Sequence, residues 1–493
     1  MRKHPALLPS LLLLGSLALT TACSSASTGS SGSSGSATQD ARAQGTASGS
    51  SAAVTGVDPS RIKGLDVVSD SSEHSACRYA TSYPAVPGAD AMTASMKKYV
   101  SGRLATFLGT GSGGQSTGEC TDGSGAGSEL NISYQFLVAS GDVLGVRLST
   151  LDRASVGDGL STTTYWYDGA AGRARTALEL IADDERTALV AAVEKQLKGR
   201  EGIDASQLNS TFADKTGLAD LLDDMEPTAN GGLRIEFDRD TVGVPAAGRY
   251  VVSLPRATVT PLLSAFGRRV QRQTVSPGGT LDLGASSAPS AATPTQTASG
   301  TDTTDCKQVK CIALTFDDGP AAPETATLLE YLAQYKARVT FFTVGQNVAA
   351  HPELVRAEAR AGHEVGNHSW NHPDLTKLTP DQIAYQLDRT SAAIKAATGT
   401  APTLFRPPYG AVDAKVKSAT TLSPVLWDVD TEDWKYRDSA KVANTVITKA
   451  ARNSVVLMHD IHPTSVAAVP EILRTLTARG FHFVTVSHLR AAL

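Results

Sequence analysis

Charged residues are scarce in this chain and form no long run of one sign. Only 19% of its 493 residues are charged, and the formal net charge is -4. Proteins that bind nucleic acid usually concentrate lysine and arginine on one face. The composition therefore argues against nucleic acid as a partner. A hydrophobic content of 41% is typical of a soluble globular protein, and the length leaves room for two or three domains.

Long apolar runs are also missing, apart from one near the N-terminus. Leu7 to Leu19 follows Arg2 and Lys3 and precedes the small residues Thr20 to Ala22, an order typical of an export signal. The run is too short for a good membrane span. Residues 1–23, which end at Cys23, resemble a bacterial lipoprotein signal. The resemblance implies that Cys23 is lipidated and is the only attachment to the outer face of the cell membrane; ordinary secretion is the alternative.

Cysteine is the third scarce residue type, with five in the whole chain. Setting Cys23 aside leaves an even number, which in an exported protein predicts disulfides. We predict that Cys77 pairs with Cys120 and that Cys306 pairs with Cys311, because each bridge then stays inside one region. Free thiols are the alternative.

Two stretches without large apolar residues divide the chain. Residues 24–56 and 276–305 consist mainly of small and polar residues, which cannot bury enough surface to offset the entropy of ordering. We predict a flexible tether and a flexible linker. Residues 57–275 combine strand patterns with a few helical ones and predict a separate α+β domain. Residues 306–493 alternate strands and helices and predict an α/β domain with a parallel sheet.

The periodicity of apolar residues predicts the individual elements. In residues 57–275 the predicted strands are Leu130–Phe136, Val143–Leu148, Thr162–Tyr167, Leu233–Phe237 and Arg249–Leu254, and the predicted helices are Ala91–Leu108 and Asp184–Leu197. In residues 306–493 the predicted strands are Cys311–Phe316, Val339–Val344, His363–Asn367, Thr403–Arg406, Val425–Val429, Ser454–Met458 and Phe481–Val486. A helix is predicted at Pro380–Ala397, with Thr379 as its N-cap and Gly399 as its end.

Polar clusters follow five of the strands predicted in residues 306–493. In α/β folds the chemistry gathers at the carboxyl ends of parallel strands. A solvated turn would explain any one cluster, but five on one rim predict a site. The clusters are Asp317-Asp318, His368 to His372, Arg406 to Gly410, Asp430 to Trp434, and His459-Asp460.

A histidine pair and an aspartate are the candidate metal ligands. His368 and His372 stand four residues apart, close enough for both imidazoles to meet one ion. One of the adjacent Asp317 and Asp318 adds a third ligand and leaves positions for water and substrate, which suits catalytic zinc. The spacing leaves open which aspartate binds the ion and which exchanges a proton.

The motifs TFDDGP, HSWNH, RPPYG, DTEDW and LMHD, in this order, resemble the polysaccharide deacetylases of the NodB-homology type, carbohydrate esterase family 4. The resemblance covers about Lys310 to Leu493. It implies a distorted (β/α) barrel of about seven units and a divalent metal, zinc or alternatively cobalt. The resemblance implies that Asp318, His368 and His372 are the metal ligands. It implies that Asp317 is the general base, oriented by Arg406, and that His459 is the general acid, oriented by Asp433. It further implies an oxyanion contact from the Tyr409 N–H and a pocket for the acetyl group at Trp434 and Leu457.

Residues 57–275 carry a second resemblance. Tyr165 to Gly169, Leu178 to Leu180, and Ile235 to Phe237 ahead of Tyr250 to Val252 look like an extracellular domain that accompanies some cell-wall deacetylases and occurs in a lysozyme-sensing anti-sigma factor. Its aromatic run could stack on sugars, but alternating aromatics in a strand more often pack in a core.

Together these features predict a monomeric, extracytoplasmic enzyme. The expected reaction is hydrolysis of N-acetyl groups on amino sugars of an envelope polysaccharide, with peptidoglycan as the polymer. An O-acetyl esterase acting on xylan or another acetylated polymer is the alternative within the same chemistry. A sensor or binding protein that acts through residues 57–275 is the alternative from another class.

Overall fold

The computed structural model describes residues 57–74, 77–109, 128–153, 159–284, 293–297 and 301–493. The described residues all belong to one compact unit. The predicted signal, the lipidation site Cys23, residues 24–56 of the tether and Cys120 lie outside them. None of the described helices combines the length and the apolar character that a membrane span needs.

The N-terminal region, residues 57–284, is α+β. Its strands are β1 Asp66–Ser72, β2 Cys77–Ala85, β3 Ser128–Ser140, β4 Val143–Asp152, β5 Leu160–Asp168, β6 Arg173–Arg175, β7 Met225–Pro227, β8 Leu233–Phe237 and β9 Tyr250–Leu254. Its helices are α1 Asp90–Phe107, α2 Arg186–Leu197, α3 Ala205–Ala213, α4 Leu218–Leu221, α5 Arg256–Val259 and α6 Ala265–Val275. Strands β1 to β6 form one sheet in chain order, and β7 to β9 form another. All seven elements predicted here are present, with ends shifted by a few residues.

The aromatic run of β5 belongs to the core. Trp166 is completely buried and lies so close to Gly145 of β4 that a Cβ atom there would clash with its ring. Tyr165 packs edge-on against Tyr99 of α1. Trp166 is therefore not available for stacking on a sugar.

The C-terminal region, residues 301–493, is α/β. Its strands are β10 Lys310–Asp317, β11 Thr340–Thr343, β12 Glu364–Asn367, β13 Leu404–Phe405, β14 Ser423–Pro424, β15 Val429–Asp430, β16 Val455–His459 and β17 Phe481–Phe483. Its helices are α7 Glu324–Gln334, α8 Gly345–Ala350, α9 Pro352–Arg360, α10 Pro380–Thr398, α11 Ala414–Ser418, α12 Asp433–Tyr436, α13 Ser439–Lys449, α14 Pro463–Ala478 and α15 Val486–Ala491. All strand pairings among the described residues of this region are parallel, as predicted.

The parallel sheet curls into a half-barrel. Its order is β14-β13-β12-β11-β10-β16-β15, with β17 also paired to β10. Strands β14 and β15 lie at opposite ends of this order, although only residues 425–428 separate them in the chain. So few residues reach only about 15–18 Å. The two edges of the sheet must therefore approach each other.

Two strand predictions were wrong in this region. The strand predicted at Val425–Val429 is replaced by the two short strands β14 and β15, because the chain crosses there from one edge of the sheet to the other. The strand predicted at Phe481–Val486 ends at Phe483. Val486 instead begins α15, since the Thr485 side chain accepts a hydrogen bond from the backbone N–H of His488 and caps the helix.

Local sequence signals set the bounds of α10. The Thr379 hydroxyl accepts from the N–H of Gln382, whose side chain accepts in return from the N–H of Thr379. At the other end Gly399 adopts a φ of 84°, a conformation that glycine reaches without steric cost. The predicted cap and end of this helix are confirmed.

The cysteine prediction is confirmed for one pair. Cys306 and Cys311 form a disulfide at the start of β10. Cys77 begins β2, but Cys120 lies outside the described residues, so their pairing stays a prediction.

Candidate active site

The end of β10 places two aspartates at the carboxyl edge of the parallel sheet. Asp317 is the last residue of the strand and pairs in register with His459 at the end of β16. Consecutive strand residues point to opposite faces, so Asp318 must leave the strand to lie beside Asp317. Its φ of 73° is that departure. The Asp-Asp turn thus brings both carboxylates to one place.

Unusual backbone conformations gather at the same edge. Nine non-glycine residues among those described have a positive φ, and five of them belong to the predicted motif clusters. Such conformations cost free energy and are most frequent at functional sites. The five residues are Asp318, Ser369, His372, Tyr409 and Glu432.

Three buried side chains converge with the spacing of metal ligands. Oδ1 of Asp318 lies 3.5 Å from Nε2 of His368 and 3.4 Å from Nε2 of His372. Two atoms about 2.1 Å from one ion at the tetrahedral angle are about 3.4 Å apart. All three ligand atoms are buried and have no hydrogen-bond partner among the described residues. These orphaned atoms fit a divalent cation.

A hydrogen bond through the other ring nitrogen fixes the orientation of His368. Nδ1 of His368 donates to the carbonyl oxygen of Arg406 at 2.7 Å, which leaves the lone pair on Nε2. Burial, reinforced by His372, lowers the pKa of His368 to about 3. The ring is therefore neutral at physiological pH, as a metal ligand must be.

The charges of the other two ligands depend on each other. Burial alone would raise the pKa of Asp318, but the nearby histidines, above all His372, lower it below its ordinary value. Burial alone would lower the pKa of His372, but the carboxylates of Asp318 and Glu73 raise it. Asp318 and, after it, Glu73 thus favour the protonated form of His372.

Arg406 pairs with the other aspartate of the turn. Its Nη1 donates to Oδ1 of Asp317 at 2.8 Å and to Oγ1 of Thr315 at 2.7 Å, and the side chain is completely buried. Burial raises the pKa of Asp317 to about 7, although Arg406 acts to lower it. Desolvation of the Asp317 carboxylate thus outweighs the effect of the Arg406 guanidinium.

His459 and Asp433 form a second buried pair. It lies beside Asp317, because Asp317 and His459 are opposite each other in the β10–β16 register. Nδ1 of His459 lies 2.8 Å from Oδ1 of Asp433, whose Oδ2 accepts from the His459 N–H and from the Ser465 hydroxyl. Burial acts to lower the pKa of His459, but Asp433 outweighs it and raises the pKa to about 10. His459 is therefore an imidazolium at neutral pH, while its Nε2 has no partner among the described residues.

The three remaining predicted residues adjoin these groups in space or in the chain. Tyr409 packs edge-on against the ring of His372, with centroids 4.7 Å apart. Leu457 pairs with Thr315 in the sheet and is buried. Trp434 follows Asp433 at the start of α12 and is 8% exposed. Contacts or strand register connect eight of the ten predicted residues, while Trp434 and Leu457 lie next to them in the chain. The chemical roles of all ten stay predictions.

Other polar residues near the rim serve the fold. Asp460 accepts from the Thr325 hydroxyl at 2.5 Å. Asp430 accepts from the N–H of Glu432 and so stabilises the turn before α12. His363 accepts through Nδ1 from the N–H of Val339 and so supports the adjoining strand β11.

Sequence reasoning missed several residues that touch the site. Ser465 bonds Asp433 from α14, outside every motif. Ser71, near the end of β1, lies against Asp318, and Glu73, just after β1, lies against His372. Nothing in the local sequence of β1 indicates these long-range contacts.

The three metal-ligand candidates lie, together with Asp317, Arg406 and Tyr409, in a segment that matches a known family. A family model for polysaccharide deacetylase matches residues 304–423. The chain is 44% identical over 183 residues to the peptidoglycan-N-acetylglucosamine deacetylase PgdA of Listeria monocytogenes, which is 37% of this chain and 39% of that protein. It is 43% identical over 180 residues to the peptidoglycan-N-acetylmuramic acid deacetylase PdaC of Bacillus subtilis, 36% of this chain and 38% of that protein.

A shorter relative is matched over most of its length. The chain is 37% identical over 190 residues to a peptidoglycan-N-acetylglucosamine deacetylase of Bacillus cereus, which is 36% of this chain and 69% of that protein. By contrast, the match spans only about two fifths of the Listeria and Bacillus subtilis proteins. The similarity thus concerns one part of the chain.

Proposed function

The chain belongs to the polysaccharide deacetylase family, and on that premise we propose that it is a metal-dependent hydrolase that removes N-acetyl groups from the amino sugars of peptidoglycan. The observation that carries this proposal is the convergence of the Asp318, His368 and His372 ligand atoms beside the carboxylate of Asp317. The hydrolysis breaks the C–N bond of the acetamide and yields acetate and a free amine.

Asp318, His368 and His372 would hold the metal. Three ligands leave a position for water and substrate, as in catalytic sites. A bound divalent cation supplies Lewis acidity, which polarises the acetyl carbonyl and lowers the pKa of water. The nitrogen and oxygen donors suit zinc, and cobalt is the alternative.

Asp317 would act as the general base. A base works best when its pKa lies near the operating pH, and the pKa of Asp317 is raised to about 7 by burial. Arg406 orients the carboxylate through its 2.8 Å hydrogen bond. Asp317 then takes the proton of the water that attacks the acetyl carbon.

His459 would act as the general acid. Its raised pKa keeps it protonated at neutral pH, and Asp433 fixes the ring through Nδ1. Nε2 is free to give a proton to the departing amine. We further propose that the backbone N–H of Tyr409 stabilises the oxyanion and that Trp434 and Leu457 enclose the acetyl methyl group.

Further parts of the proposal rest on the sequence. We infer that residues 1–23 direct export, that Cys23 anchors the monomeric protein to the outer face of the membrane, and that residues 24–56 tether it. Residues 57–275 would be a separate accessory domain joined by the linker 276–305 to a deacetylase domain, residues 306–493, built as a distorted barrel. The names of the relatives support peptidoglycan as the polymer.

Acetate release tests the proposed reaction. The purified full chain with zinc is expected to release acetate from peptidoglycan and chitooligosaccharides in preference to acetylated xylan. Asp317→Asn should abolish turnover and still bind zinc, because the three ligands remain. Preference for acetylated xylan would support the O-acetyl esterase instead. No release from any of the three substrates would refute the proposal.

A further inference from the structure

The polar face of β3 is buried instead of facing solvent. Glu129, Asn131 and Ser133 alternate with apolar or aromatic residues along the strand, so their side chains point to one face. The polar face of such an alternating strand usually meets water. Here the three residues are only 1%, 3% and 8% exposed. This face must therefore find its hydrogen-bond partners inside the protein.

The loop after β12, which carries two of the metal-ligand candidates, supplies these partners. The amide of Asn131 donates to the carbonyl oxygens of Asn371 and His372, at 2.7 and 3.1 Å. The amide of Asn371 donates in turn to the Ser133 hydroxyl at 2.9 Å. Strand β3 of the N-terminal region thus holds the backbone from which the His372 ring extends.

Charged groups hold the same loop just beyond His372. The backbone N–H of Asp374 donates to Oε1 of Glu129 at 2.7 Å, and Arg78 of β2 pairs with the Asp374 carboxylate at 2.7 Å. Arg153 lies 2.9 Å from Oε2 of Glu129. Each of these charged groups therefore has an opposite charge or a hydrogen-bond partner beside it, as a buried polar contact requires.

The backbone conformation of His372 gives this support a purpose. Its φ is 59°, in the left-handed region that costs free energy for any residue other than glycine. The His372 carbonyl oxygen accepts from Asn131 at 3.1 Å and from the Tyr409 hydroxyl at 3.4 Å. Because the backbone sets where the imidazole lies, losing the Asn131 amide would let the ring move away from Asp318 and His368.

Ser71 acts in a similar way on another ligand candidate. Its hydroxyl, near the end of β1, donates to Oδ2 of Asp318 at 2.5 Å, and both side chains are buried. The other carboxylate oxygen, Oδ1, is the one that converges with His368 and His372. A hydrogen bond to Oδ2 fixes the rotation of the carboxylate and so the direction in which Oδ1 points.

The contact between the two regions leaves the ligand candidates accessible. A half-open cleft, lined by residues of both regions, lies beside Asp318 and His372. Ser71 belongs to one wall of this cleft and Asn371 to the other. The N-terminal region can therefore support the ligands without sealing them from an ion.

We propose that Ser71 and Asn131 are positioning residues of the metal site, supplied by the N-terminal region. Ser71 sets the direction of the Asp318 carboxylate, and Asn131 holds the backbone of His372. Both act through ligands and are not ligands themselves. The inference rests on the proposed function, whose metal site it completes with residues from outside the segment that matches the family.

The zinc affinity of the full chain, measured by chelator competition, tests the proposal independently of turnover. Ser71→Ala and Asn131→Ala should each bind zinc about 10- to 100-fold more weakly than wild type. Ser71→Thr keeps the hydroxyl and should restore most of the affinity. Ser69→Ala is the matched control and should bind normally, because Ser69 lies on the same face of β1 and its hydroxyl has no hydrogen-bond partner among the described residues.

Circular dichroism and urea unfolding without zinc identify the folded variants, so that weak binding is not mistaken for unfolding. Wild-type affinity in folded Ser71→Ala and Asn131→Ala overturns the inference, and so does an equal loss in Ser69→Ala. If Asn131→Ala does not fold, Ser71→Ala and Ser71→Thr decide the outcome. Weakened zinc binding by these variants, together with no acetate release by wild type, would instead refute the proposed reaction and leave the positioning role.

Discussion

Replacing Arg406 with methionine removes the cation that lies against the proposed general base. The variant loses the 2.8 Å hydrogen bond to Asp317, a charge-assisted contact of about 1.5–3 kcal/mol. Each pKa unit corresponds to about 1.4 kcal/mol, so the pKa of Asp317 should rise by about one to two units from about 7. The ionised fraction at pH 7 then falls by about five- to fifty-fold, and so should kcat/KM.

The pH profile of kcat/KM checks this prediction. The rising limb should move to higher pH by the same one to two units, and the activity should recover as the pH approaches 9. Arg406→Lys keeps the charge and should shift the limb less. Circular dichroism and urea unfolding identify a folded variant, which we expect to be less stable because a buried partner is lost. A rising limb that stays in place in folded Arg406→Met would refute the assigned coupling of Arg406 to Asp317.

Two further predictions concern the metal and acid stability. His368→Ala removes one of three ligand atoms, so zinc affinity measured by chelator competition should fall at least about 100-fold, whereas the exposed His482→Gln should bind normally. Burial lowers the pKa of His363 to about 3, whereas its pKa in the unfolded chain is about 6.5. Above pH 6.5 the residue is neutral in both states and does not change the free energy of unfolding. As the pH falls from 6.5 toward 3 the unfolded chain binds the proton first, which lowers the free energy of unfolding by about 2 kcal/mol at pH 5. Urea titrations at pH 7 and 5 should show a smaller loss for His363→Phe than for wild type; equal losses would contradict the assignment.

The site was predictable because it follows from strand order. Parallel strands end at one edge, so motifs that follow them in the chain must meet, as Asp317 and His459 do in register. The ends of α10 were predictable for a similar reason, since Thr379 and Gly399 act on neighbouring backbone groups. Local chemistry and repeated topology leave a signal in the sequence.

Contacts between distant single residues leave no such signal. Ser71 and Glu73 belong to no periodic pattern, and the partner of each is about 250 to 300 residues away. The strands at the two edges of the half-barrel, β14 and β15, were not predicted. Each has two residues, which is too few to show the alternation of apolar and polar residues that is typical of a strand. The raised pKa of Asp317 was also not predictable from the sequence, because it depends on how deeply the folded protein buries the carboxylate.

The hydrogen bonds from Asn131 to the backbone beside His372 link two equilibria, the binding of a metal ion and the contact of the N-terminal region with the C-terminal region. If the contact between the two regions raises the affinity for the ion, then by thermodynamic reciprocity the ion must strengthen that contact by the same factor. Scarcity of metal would then loosen the N-terminal region, and abundance would secure it. Metal binding and the packing of the N-terminal region against the site would thus rise and fall together.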